Sequence, residues 1–134
     1  MADQRRTFAP DADEIEALAR AALAALPAEF RRHLGDVVIR VEDFADEDAL
    51  AELGIDDPFE LTGLYTGRPM AEKSSTESGA LPDLIQLFRR PLLDEWIETG
   101  VGLDALVTHV LIHEAGHHFG LSDADMHALE EGAP

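Results

Sequence analysis

The run His113-Glu114-Ala115-Gly116-His117, followed at once by His118-Phe119-Gly120-Leu121-Ser122-Asp123, holds the residues of this chain best suited to chemistry. Side chains four apart on a helix stand one turn apart on the same face, so His113 and His117 can grip one ion. Neutral imidazoles are good Zn²⁺ ligands, and a carboxylate beside the first of them can act on a metal-bound water. Glu114 is placed for that task, as general base toward the water and then as proton carrier to a leaving amine. Asp123 lies six residues beyond His117, past a glycine able to end the helix, and is a candidate third ligand. Shuffling a chain of this composition would reproduce the whole pattern in about 2 of 10,000 trials.

The third ligand has rivals. Ser122-x-x-Asp125 also reads as a capping box for a following helix, in which an acid in the first turn needs no metal. Asp125, His127, or Ser122 through a water therefore stay open as the group that completes the shell. His109 precedes His113 by one turn. Three histidines spaced in fours span about 12 Å of helix, too far for one ion, so His109 is expected to pack or to support His113. His118 points about 100° away from His117 and is expected outside the site. Gly116, within the helix, costs about 1 kcal/mol relative to alanine and implies close approach by another group. Zn²⁺ is the default ion for two histidines and a carboxylate, although Mn²⁺, Fe²⁺ and Co²⁺ accept the same donors.

Leu103 to Phe119 reads as the helix that must carry this motif. Leu103, Leu106, Val107, Val110 and Leu111 lie on its flanks, with Ile112 and Phe119 opposite, so it is apolar most of the way round and expected to be buried centrally. Upstream, Asp11 to Leu26 has helical apolar spacing with acids in its first turn, and Ala28 to Leu34 reads as a short second helix closed by Gly35. Asp36 to Phe44 is β-branched and reads as a strand. Asp46 to Leu53 is an acidic surface helix stopped by Gly54. Leu61 to Thr66 and Asp83 to Arg89 are further strand candidates. Arg68 to Ala80 is a loop, and Pro91 can open a helix containing Trp96. Asp123 to Glu131 forms the last helix.

At 134 residues the chain is expected to be one domain, 1–134, with 1–10 and 132–134 as flexible ends. Its net charge of −18 disfavours nucleic acid and anionic membranes as partners. It has no cysteine, hence no disulfide, thiolate nucleophile or cysteine zinc site. Arg5-Arg6 is followed by acids that no export segment would carry, and no stretch is long enough to span a bilayer. The expectation is a soluble, cytoplasmic protein, monomeric by default.

The segment from His113 to Asp123 resembles the H-E-x-x-H-x-x-G-x-x-D site of zincin metallopeptidases, and more narrowly that of the small bacterial minimal zincins. Leu61-Thr-Gly-Leu-Tyr-Thr-Gly-Arg-Pro, Gly79-Ala-Leu-Pro-Asp and Ile85-Gln-Leu-Phe-Arg-Arg-Pro91 are similar to that family too, so the likeness runs from about Val37 to Leu129. The resemblance implies an α+β, metzincin-related fold: a small mixed sheet packed on a central motif helix, with additional helices. It also implies zinc on His113 and His117, a catalytic Glu114, and Asp123 in the third-ligand position. No metzincin Met-turn is evident, since Met126 follows Asp123 closely.

The function expected is that of a zinc metallopeptidase acting on a peptide or protein substrate. An edge strand, Leu61 to Tyr65 or Asp83 to Phe88, would hold the peptide extended above the motif helix. Arg68 to Ala80 would be the natural lid. Tyr65 is expected to pack half-buried, with donation to an oxyanion as its alternative. The rival function is a non-catalytic metal- or peptide-binding module on the same fold.

Overall fold

A computed structural model describes residues 7–34, 37–67 and 83–132. The first helix, α1 (Ala12–Ala24), starts from a complete capping box. The Asp11 carboxylate accepts from the Glu14 amide and the Glu14 carboxylate from the Asp11 amide, both at 2.9 Å. Ile15, Ala19 and Ala22 form its buried stripe. Pro27 then breaks the path, and a short α2 (Ala28–Arg31) runs on into a 3₁₀ turn at Arg32–Leu34.

Strand β1 (Val38–Glu42) follows, its Ile39 buried. Helix α3 (Glu47–Leu53) is capped by Asp46 and ended by Gly54, whose φ of 69° belongs to the left-handed region glycine favours. Strand β2 (Gly63–Thr66) and strand β3 (Leu84–Phe88) complete the sheet. The residues between them that include Arg68 to Ala80 lie outside the described set, as does Gly35.

The strand order is β1-β3-β2. β1 runs parallel to β3, pairing Val38 with Leu84 and Val41 with Leu87, while β2 runs antiparallel to it, pairing Gly63 with Leu87. The sheet is therefore mixed. β3 is its centre, which explains why it is the most buried strand: Ile85, Leu87 and Phe88 are all inaccessible to solvent.

Phe88 leads directly into α4 (Arg89–Thr99), which ends at a left-handed Gly100. Then come α5 (Leu103–His118), the motif helix, and α6 (Asp123–Gly132). α5 touches α1, α4, α6, β2 and β3. Leu106, Val107, Val110, Leu111, Ile112 and Ala115 on its several faces are all buried, as a central helix requires. The α+β architecture, with six helices and a three-stranded mixed sheet among the described residues, is the one expected. Among the described residues no helix is long and apolar enough to cross a membrane.

Candidate metal centre

The polar side chains on α5 stand where its neighbours leave room for them. His109 and His113, one turn apart, bring their rings to a centroid separation of 4.1 Å. His109 is half-exposed and His113 partly buried. Glu114 is half-buried on the adjoining flank, the one that meets β2. A Cβ placed on Gly63 of that strand would stand 3.5 Å from Glu114 Cγ.

After His118 the chain turns through Gly120, whose φ is 74°, and the Leu121 amide donates back to the Gly116 carbonyl at 2.9 Å. Ser122 and Asp125 form the expected capping box: the Asp125 amide donates to Ser122 Oγ at 3.1 Å and the Ser122 amide to Asp125 Oδ2 at 3.3 Å. α6 therefore returns antiparallel along α5. Met126 is fully buried and occupies the space over Gly116, the close approach that a mid-helix glycine implied.

One turn further along α6, on the face Met126 holds inward, lies Glu130. Its carboxylate meets His109 Nδ1 at 2.6 and 2.9 Å, and the same Oε2 lies 3.3 Å from His113 Nε2. The three donor atoms all fall within 4.8 Å of one another. Donors around a tetrahedral ion with bonds of about 2.1 Å stand about 3.4 Å apart, so this group has the donor types and the rough spacing that a zinc ion takes.

The motif residues are distributed as follows. His113 lies in this cluster. His117 lies one turn further along α5, with its side chain, like that of His118, outside the described residues. Asp123 is exposed in the first turn of α6. Asp125 and Ser122 are engaged in the cap. His127 pairs with Glu131 at 3.0 Å on the outer side of α6, both residues well exposed.

His109, expected to pack or to support His113, instead offers a ring nitrogen of its own to the cluster. Glu130 was not anticipated. It lies four residues after the buried Met126, on the inward face of α6, a face that only the packing of the two helices defines.

Tyr65 on β2 packs half-buried, its ring edge-on to Phe119 at 6.4 Å. Its hydroxyl donates to the buried Asp83 carboxylate at 2.7 Å. Burial first, and then the hydrogen bond and charge of Asp83, push the phenol above its ordinary range. The packing role expected of Tyr65 is thus observed.

A family model described as zincin-like metallopeptidase matches residues 34–133. The chain belongs to that family. The match covers β1 through α6 and leaves α1 outside it, in keeping with a sequence likeness that began near Val37. The search of curated proteins found no match. For a zincin-like metallopeptidase a metal cofactor is implied, zinc before others, and the His109, His113 and Glu130 donors fit such an ion.

Proposed function

We propose that this zincin-like protein is a zinc-dependent peptidase in which Glu114 acts as general base. The observation that carries the reading is the position of Glu114. It stands on α5 next to a histidine of the donor cluster and faces Gly63, where strand β2 begins. A carboxylate between a metal ligand and a strand edge is where a general base for peptide hydrolysis is needed.

When bound, zinc supplies a Lewis acid that polarises a carbonyl and lowers the pKa of water. His113 and His117 would hold it, with Asp123 as the third motif ligand. Glu114 takes a proton from the attacking water and delivers it to the departing amine. Substrate lies extended along β2. Of the two strands able to take a peptide, β3 is bounded on both sides, whereas β2 has one edge unpaired among the described residues. Gly63 keeps that edge close to α5 because it has no side chain to hold the strand away.

The test is Glu114→Gln, assayed on a broad peptide library beside wild type, with zinc content and thermal unfolding measured on the same samples. Hydrolysis should fall by at least about 100-fold while metal and fold persist. Equal activity in the two proteins sinks the proposal. Peptide binding without turnover in the wild type would identify a metal-dependent binding module instead.

A further inference from the structure

We infer that His109, His113 and Glu130 form a metal position of their own, one helical turn before the position that His113 and His117 define. His113 is common to both, so the two are mutually exclusive and the chain takes one ion at a time. His109 and Glu130 are outside the sequence motif, and this inference does not rest on peptidase activity.

Four observations support it. His109 and His113 repeat the i, i+4 spacing of the motif pair, the spacing at which two ring nitrogens converge on one ion. Their nitrogens do converge here, and on a single oxygen, Glu130 Oε2, at 2.6 and 3.3 Å. Glu130 is brought to the histidines by the packing of α6, because it shares the inward face of that helix with the fully buried Met126. The cluster is also reachable: the His109 side chain is half-exposed, and an open groove of about 500 Å³ between α1 and α5, lined by Ala21, Ala25, Ala105 and Thr108, has Glu130 in its wall. Asp104 on the same wall, within a chain of net charge −18, favours entry of a cation.

The donor set names the ligand class. Two imidazoles and one carboxylate suit Zn²⁺, Co²⁺ and Ni²⁺ better than Mg²⁺ or Ca²⁺, which prefer oxygen alone. Three protein donors leave the ion at least one further coordination position. The alternative of a structural hydrogen-bond cluster predicts no metal affinity without His117, and the two accounts separate on that point.

The experiment is competition of Zn²⁺ against a chromophoric chelator, using untagged, metal-stripped protein. His117→Ala, with His117→Leu as a second variant in case the alanine chain does not fold, removes the motif position and should still bind one Zn²⁺ per chain. In that background His109→Ala and Glu130→Gln should each weaken binding by more than about 100-fold, beyond the 10- to 100-fold typical of a residue that only orients a ligand. Loading the same proteins with Co²⁺ should give a visible absorption band in the His117 variants that Glu130→Gln removes. The inference is overturned if folded His117 variants take up no Zn²⁺, or if their uptake is indifferent to His109→Ala and Glu130→Gln. Loss of peptide hydrolysis in any of these chains bears only on the peptidase proposal.

Discussion

Met126 fills the space that a side chain at Gly116 would need: a Cβ built there would come within 2.7 Å of Met126 Cγ. This contact sets the spacing of α5 and α6 and through it the reach of Glu130 to the histidines. Gly116→Ala gains about 1 kcal/mol of helix propensity but overpacks a fully buried site, which costs about 1–3 kcal/mol. A net loss of stability is expected in urea unfolding. The loss should shrink in a Met126→Ala background, as a double-mutant cycle would show. A stabilised Gly116→Ala protein would mean the helices are not in this contact.

Gly63 plays the corresponding part between sheet and helix. A Cβ there would stand 2.7 Å from Val110 Cγ1 and 3.3 Å from the Gln86 carbonyl oxygen. Gly63→Ala should lower stability by about 1–3 kcal/mol and, by moving β2 away from Glu114, reduce hydrolysis more than it reduces zinc affinity. Parallel thermal melts, zinc titrations and peptide assays check this, and Val110→Ala should restore part of the stability.

Tyr65 is the chain's one tyrosine, so its titration can be followed alone. Its folded pKa is raised, so the native state holds the phenolic proton more tightly than the unfolded chain does. The sign follows from linkage. This contribution is fully present below the unfolded value of about 10 and is lost as pH rises above it toward the folded pKa. Tyrosinate absorbance should therefore lag the usual range and appear with unfolding. Tyr65→Phe should remove this alkaline slope and cost about 1–3 kcal/mol at neutral pH by taking a donor from buried Asp83.

The cap on α6 gives a smaller effect. Ser122→Ala removes the side chain that accepts from the Asp125 amide and should cost about 0.5–2 kcal/mol, read by chemical denaturation. Zinc affinity should fall far less than in Glu130→Gln, because Ser122 is not among the described donors gathered at His113.

Elements with a strong local signal were legible in the sequence. The apolar surround of α5, the acids at the start of α1, the Ser122 capping box, and Gly54 after an acidic helix each specify their own residues, and the boundaries fall within a few positions of those expected. The β-branched run at Val38 and the Leu84 to Phe88 run likewise became strands. Glu130 was not legible, because its role depends on two helices packing in one register rather than on any spacing in the chain. That register follows from Gly116 receiving Met126, and glycine in a helix tells only that something comes close. The central place of β3 was hidden for a similar reason: strand order is decided by which edge each crossover reaches, and local pattern is silent on it.

The capped and tightly packed return of α6 has a consequence for how the protein lives with its metal. Ser122, Asp125, the Leu121–Gly116 hydrogen bond and buried Met126 all hold that helix through contacts that need no ion. Zinc fingers, by contrast, are unfolded until the ion arrives. Chelation should leave the far-ultraviolet circular dichroism intact, and added Zn²⁺ should raise the melting temperature only by mass action, about 2.7 kcal/mol at a hundredfold excess over Kd. On that outcome an ion would enter a finished receptor, loading would be quick and reversible, and scarcity of metal would silence the protein without consigning it to degradation.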